Sequence, residues 1–214
     1  RLSLPQHERA KQMRKIVKVY NIYRFEELNE KAQEQAVNNL RDINVGHEWW
    51  DGDYHLGFNE REWVAILGKE EYEKRKEACS FPQVFKYEAI YFSLGQNNYL
   101  QFKNLKILDE EVFRRWLGLP NHIFTRIHYS FDDQRCGYHE SNTKLVIEWD
   151  GSTKETYKRV EAMLRDAEQK FSEKVQEALF DLQKEEDSLM SDEAIIETIK
   201  ANDYEFTSDG KLFN

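Results

Sequence analysis

The feature of the sequence that most constrains the fold is a long periodic segment towards its C-terminal end. Between residues 154 and 186, apolar side chains recur at steps of three and four: Val160, Met163, Leu164, Ala167, Phe171, Val175, Ala178, Leu179 and Leu182. This spacing is typical of one face of an α-helix, so we predict a long amphipathic helix over about residues 154–186, within a long-helix region at 151–190. The apolar stripe needs a cover, which is either the rest of the chain or a second copy in a homodimer formed through the long helix.

The same segment carries acidic side chains outside the apolar stripe. Those that form a candidate partner-binding surface are Asp166, Glu173, Glu177, Asp181, Glu185 and Glu186. Such a surface could imitate the phosphates of nucleic acid and occupy a basic groove on a target. A solvated helix face explains the same residues with fewer assumptions, and the sequence leaves both interpretations open.

The charge of the chain is acidic and unevenly distributed. There are 31 Lys and Arg residues against 40 Asp and Glu residues, for a net charge of −9. Residues 1–24 carry seven basic residues against one Glu, whereas residues 150–214 carry nine against 17 acidic ones. Phosphate binding needs clustered Lys and Arg, so we do not expect direct nucleic-acid binding. No apolar run of about 18 residues and no secretory signal is present, so we expect no membrane association and a cytoplasmic location.

Alternating β-formers, cap residues and turn residues predict further elements. The predicted strands are residues 15–24, 87–94, 99–108, 123–131 and 143–149, with a closing hairpin at 204–213. The predicted helices are residues 29–42 capped by Asn29, segments between 47 and 77 broken near Gly52 and Gly57, residues 109–117, and residues 191–202.

Together these elements favour an α+β fold. In it, a mostly antiparallel sheet packs with an N-terminal helix and the long amphipathic helix, and residues 191–214 add a closing helix and a small β-hairpin. We expect residues 1–14 to be a flexible N-terminal extension, of which residues 1–12 precede a natural start at Met13. The length and the apolar content suggest that residues 15–214 form a single domain.

Residues 47–55 contain the densest group of candidate metal ligands. They are His47, Glu48, Asp51, Asp53 and His55, the imidazoles and carboxylates that bind zinc or manganese. Of these, His47, Asp51 and His55 are the candidates for a metal site. They are weak candidates, because two histidines eight positions apart match no compact helical ligand pair. A solvated polar face beside a buried pair of Trp49 and Trp50 is the simpler interpretation, so we expect no metal and no other cofactor.

Motifs of common enzymes are missing from the sequence. None of the patterns GxxxxGK[ST], GxGxxG and GxSxG occurs, so we expect no catalytic residues. Aromatic side chains of the predicted hairpin could stack nucleic-acid bases, but few basic residues flank them, and packing within the sheet and core is the better account. They are Tyr87, Tyr91, Phe92, Tyr99 and Phe102.

Three stretches of the chain carry a resemblance to a known group of proteins. They are YRFEELNEKA at 23–32 with the following Ala36, RDINV at 41–45 leading to EWWD at 48–51, and SDEAIIETIKANDYEFTSDGKLF at 191–213. Together they resemble uncharacterised accessory proteins of tailed phages and prophages, some of which are labelled antitoxins of toxin–antitoxin stability systems. The resemblance covers roughly residues 15–51 and 188–214 and carries over no catalytic residue.

What the resemblance implies is a genomic context. Phage accessory proteins of this size frequently bind and block a host factor, often part of a defence system. We therefore expect a non-enzymatic phage protein that inhibits a host protein in the cytoplasm of a bacterial host cell. An antitoxin-like module that neutralises a toxin is one alternative, and a metal-dependent enzyme acting on nucleotides or nucleic acid is another.

Overall fold

The computed structural model describes residues 18–50, 56–94, 98–132, 142–150 and 154–213, without the side chains of residues 154–157 and 159. These residues form helices and small antiparallel sheets, which confirms the predicted α+β fold class. None of the helices in these ranges combines the length and the apolar composition that crossing a membrane requires.

Short strands and helices follow one another along the chain. The helices are α1 (Glu30–Asn39), α2 (Glu60–Leu67), α3 (Lys69–Glu77), α4 (Glu110–Leu117), α5 (Asn121–Phe124), α6 (Lys154–Leu189) and α7 (Asp192–Ala201). The strands are β1 (Tyr23–Arg24), β2 (Phe85–Lys86), β3 (Ala89–Ser93), β4 (Tyr99–Lys103), β5 (Lys106–Ile107), β6 (Ile127–Asp132), β7 (Lys144–Trp149) and β8 (Glu205–Phe206). Within the described residues they form two-stranded antiparallel sheets, which pair β1 with β8, β2 with β5, β3 with β4, and β6 with β7.

The contacts divide the chain into two compact units. The terminal unit comprises Arg1–Gly46 and Met190–Asn214, and the central unit comprises His47–Leu189. Each has its own cluster of buried apolar side chains. The sequence suggested a single domain over residues 15–214. This stays a prediction, namely that the two units fold and unfold together.

The terminal unit is built on α1 and α7, whose ends are fixed by local caps. The Asn29 side chain accepts a hydrogen bond from the Ala32 backbone N–H at 3.0 Å, as predicted. The Ser191 side chain accepts one from Ala194 N–H at the start of α7. The apolar faces of both helices meet Phe25, Leu28 and Phe206 in one buried cluster.

The closing hairpin is present and also pairs with β1. Phe206 bridges Leu212, and Thr207 N–H donates to the Lys211 carbonyl at 2.9 Å. On its other side Phe206 pairs with Tyr23, and Glu205 pairs with Arg24. This pairing between the two ends of the sequence was not predicted.

The predicted strand at residues 15–24 is shorter in the structure. Only Tyr23–Arg24 forms a ladder, because β8 offers two residues for pairing. Residues 18–22 have no regular structure, and Val19 is 88% exposed. Residues 15–17 lie outside the described part of the chain.

An exposed carboxylate in the closing hairpin should respond to acid. The pKa of Asp209 is lowered to about 2 by hydrogen bonds from Lys211 at 2.7 Å and from Thr207 at 2.6 Å. A lowered pKa means that the ionised Asp209 carboxylate stabilises the folded hairpin. This stabilisation is present above the usual pKa near 4 and is lost as the pH falls towards 2. NMR titration of the Asp209 carboxyl carbon should give a midpoint near 2, whereas a midpoint near 4 would show that these bonds do not persist in solution.

The central unit is organised around α6, which matches the predicted long helix. Its apolar stripe is buried from Val160 to Leu182 except at the half-buried Met163, and Ala167, Phe171 and Val175 are fully covered. The stripe packs against α4, β4 and β7 of the same chain. The stripe is therefore not available to a second copy, and a homodimer through the remaining surface of the long helix stays a prediction.

The smaller elements of the central unit differ from prediction at their boundaries. Gly68, with φ +82°, separates α2 from α3. Asn104, with φ +53°, divides the predicted strand at 99–108 into β4 and β5. The predicted strand at 123–131 begins only at Ile127, because the helical turn α5 follows Pro120. Gly52 and the tip of the predicted 95–98 turn fall on residues that are not described, except for Asn98.

Candidate functional site

The predicted acidic surface lies on α6, and four of its six residues share one exposed face. Asp166, Glu173, Glu177 and Asp181 are exposed, and their spacing of seven and four residues keeps them on one side of a helix with 3.6 residues per turn. We call these four residues the acidic face. Glu185 and Glu186 are half-buried, and because they are consecutive they point about 100° apart. The six residues selected from the sequence are therefore brought together only in part.

Lysines reduce the charge of the acidic face. Lys174 Nζ lies 2.9 Å from Glu177, and Lys184 Nζ lies 3.8 Å from Asp181. Glu173 accepts a hydrogen bond from Gln169 at 3.0 Å. Carboxylates four residues apart are separated by about 6 Å along the helix axis, whereas double-stranded DNA carries one charge per about 1.7 Å. The density of negative charge is thus well below that of nucleic acid.

An exposed aromatic side chain stands within the acidic face. Phe180 is 57% exposed and lies one turn from Glu177 and two turns from Glu173. Lys184 Nζ is 4.3 Å from the centre of its ring. The sequence analysis missed Phe180. Its position outside the three-and-four spacing of the apolar stripe would have indicated an exposed aromatic side chain.

A buried ion pair anchors α6 beneath this face. Lys174 is 5% exposed and lies 2.7 Å from the Glu62 carboxylate of α2. Glu62 also accepts hydrogen bonds from the Trp116 indole N–H at 3.0 Å and from Asn59 N–H at 2.9 Å. The neighbouring Lys170 contacts the Trp116 carbonyl and ring. The only sequence signal for this network is a lysine placed among the apolar residues of the stripe.

Trp49 and Trp50 form an aromatic cluster with Phe92 of β3. The three rings meet edge to face, with centroids 4.9 to 5.9 Å apart. Both tryptophans are half-buried, where the sequence suggested a buried pair. Of the aromatic residues assigned to packing, Phe102 is buried, whereas Tyr91 is 47% exposed.

The tryptophans and β3 enclose a groove of 760 Å³, which we call the aromatic groove. Its lining residues are Glu48, Trp49, Trp50, Tyr87, Glu88, Ala89, Ile90, Tyr91, Phe92 and Tyr99. A second cavity of 510 Å³ lies between Leu56 and Tyr87 and is lined mainly by apolar side chains around Phe58, Trp63 and Phe85.

The candidate metal ligands are only partly within the described chain. His47 is exposed, and Asp51 and His55 lie outside the described residues. In the part of the chain that is described, no three His, Cys, Asp or Glu side chains gather as a metal site would require. The metal hypothesis for His47, Asp51 and His55 stays a prediction.

Comparisons with known proteins add no further assignment to this geometry. No family model matches the chain, and neither a curated protein nor a solved structure is similar to it.

Proposed function

We propose that the chain is a non-enzymatic phage accessory protein that binds and inhibits a host protein through the acidic face of α6 and Phe180. The observation that carries the proposal is the 57% exposure of Phe180 among Glu173, Glu177 and Asp181. Large aromatic side chains are frequent energetic centres of protein interfaces. Surrounding carboxylates steer a basic partner and exclude acidic ones.

The same residues define the chemistry of the partner. It should present an apolar pocket for the Phe180 ring with Lys or Arg side chains at its rim. The aromatic centre and the low charge density favour a protein surface over imitation of a nucleic-acid backbone. That the target is a bacterial anti-phage defence protein, met in the host cytoplasm, rests on the phage resemblance, an argument by association.

Capture from host lysate followed by mass spectrometry tests the proposal. The immobilised full chain should retain a partner, and Phe180→Ala combined with Glu173→Lys should reduce its recovery at least about tenfold. Glu77→Lys combined with Glu197→Lys is the control, because both residues are exposed and lie on α3 and α7. Equal recovery by both double variants would contradict the assignment of the surface.

A plating assay separates inhibition of defence from the antitoxin alternative. Expression of the chain in a host that restricts a phage should restore plating of that phage, and the Phe180→Ala variant should not. Rescue of growth from one specific toxin, without any effect on plating, would favour the antitoxin-like module. Failure to capture any partner, together with turnover of nucleotides or nucleic acid, would overturn the proposal.

A further inference from the structure

Residues 18–22 are a strand-forming segment without a strand partner in the described part of their own chain. Their sequence, KVYNI, combines the β-formers Val19, Tyr20 and Ile22 with the polar residues Lys18 and Asn21. Val19 is 88%, Tyr20 53% and Ile22 40% exposed. No backbone hydrogen bond joins these residues to any described part of the chain, and the ring of Tyr20 contacts Phe213 with centroids 5.5 Å apart.

The aromatic groove runs along a strand edge that is also without a partner. β3 pairs with β4 on one side, and no described strand pairs with its other side. The groove is lined by every residue from 87 to 92. Side chains alternate across the two faces of a strand, so a run of consecutive lining residues indicates an edge, where backbone groups of β3 that do not face β4 can pair with an added strand.

The opposite edge of this hairpin is already covered. The Thr143 N–H donates to the Leu100 carbonyl, and the Thr143 hydroxyl accepts from Phe102 N–H at 2.9 Å. The Asn142 side chain accepts from Leu100 N–H at 2.7 Å. Among the described residues, the edge of this sheet that remains for an added strand is therefore that of β3.

The segment and the groove are complementary in length, side chains and charge. Five residues in extended form span about 16 Å, which is also the length of the five-residue strand β3. Lys18, Tyr20 and Ile22 would point to one face, where the Trp49, Trp50 and Phe92 rings suit aromatic and cationic groups. Glu48 at the groove, and Glu88, which lies 3.8 Å from Lys103, are complementary in charge to a segment within residues 13–24, which carry four basic residues and no acidic one.

We propose that residues 18–22 of one copy add as a strand to the edge of β3 that no described strand occupies in a second copy, so that two copies exchange segments in a symmetric dimer. Strand addition satisfies the backbone groups of both partners. It exchanges the Tyr20–Phe213 contact for contacts in the groove. The interface is separate from the acidic face of α6, so it does not depend on the proposed function.

The oligomeric state of the full chain gives the first test. Sedimentation velocity over a concentration series should show a monomer–dimer equilibrium. Lys18→Glu and Glu48→Lys should each raise the dimer Kd at least about fivefold, and the double variant should return it to within about twofold of the original value, because the charges are exchanged. Phe180→Ala is the control and should leave the Kd unchanged. A chain that stays monomeric at all concentrations overturns the proposal.

Cross-linking locates the interface. A photoreactive benzoylphenylalanine is placed at Val19, and this protein is mixed with an unmodified copy labelled with ¹⁵N. Cross-links should join the residue-19 peptide of one isotope to the peptide containing residues 87–94 of the other. Inter-copy cross-links that fall elsewhere overturn the proposed site, as do cross-links that join only peptides of the same isotope.

Discussion

Replacement of Gly210 by alanine is expected to detach the closing hairpin from α1 and to lower the free energy of unfolding of the terminal unit by about 3–5 kcal/mol. An alanine Cβ would overlap the Ala32 carbonyl oxygen and lie 3.1 Å from the Ala36 nitrogen. These are backbone atoms of a helix and cannot rotate away. Gly210 also has φ +78°, a left-handed conformation that side chains disfavour.

The control for this prediction is Gly118→Ala in the central unit. Gly118 has φ +75°, but beyond Gly118 and its two chain neighbours no atom of the described chain lies within 4 Å of the position that an alanine Cβ would take there. We expect a loss of only about 1–2 kcal/mol, the usual cost of a left-handed alanine. Denaturant unfolding gives both values, and hydrogen exchange should show faster exchange in α1, α7 and the hairpin of Gly210→Ala alone. Equal losses in the two variants would show that the hairpin does not approach α1 this closely in solution.

Replacement of Lys174 by methionine is expected to destabilise the central unit by about 2–3 kcal/mol. The substitution leaves the Glu62 carboxylate, 18% exposed, without the ammonium group at 2.7 Å. Unpaired buried charges are costly, although the Trp116 and Asn59 hydrogen bonds to Glu62 would soften the loss. Urea unfolding followed by tryptophan fluorescence measures the change, because Trp116 belongs to the network.

Two further variants isolate the ion pair from other effects of the substitution. Lys184→Met removes an exposed lysine 3.8 Å from Asp181 on the same helix and should cost less than about 0.5 kcal/mol. Glu62→Gln combined with Lys174→Met should lose less than the sum of the two single changes, because neither charge is then left unpaired. A Lys174→Met variant as stable as Lys184→Met would contradict the buried pairing.

The two proposed interaction surfaces have different origins in the fold. The acidic face lies on the outer side of a helix whose inner side fills the core, so its residues follow from the helical period. The aromatic groove arises because β3 is the uncovered edge of a two-stranded sheet among the described strands. Variants at Phe180 and at Glu48 therefore probe independent properties, partner capture and self-association.

Local signals allowed the main helices to be predicted. The three-and-four spacing located α6 within a few residues, and the cap residues Asn29 and Ser191 mark the starts of α1 and α7. Gly118 ends α4 in a left-handed conformation, as expected for a glycine after a helix. Each of these features depends on residues within a few positions of one another, which is the range that sequence patterns report.

Long-range pairing was decided by the tertiary structure alone. The partner of Lys174 is Glu62, 112 positions away, and the partner of β1 is β8 at the other end of the sequence. Most of the predicted strand at 15–24 found no such partner among the described residues. Because strands need hydrogen bonds from another segment, alternating β-formers indicate only a capacity to pair.

By itself, the sequence determined the α+β class, the long amphipathic helix and the acidic residues outside its apolar stripe. Only the tertiary structure decided that this stripe is buried within its own chain, that Phe180 is exposed among Glu173, Glu177 and Asp181, and that β3 keeps an edge free of other described strands beside Trp49 and Trp50. The physical reason is that an amphipathic pattern specifies which side chains avoid water, whereas the segment that covers them depends on how distant parts of the chain pack.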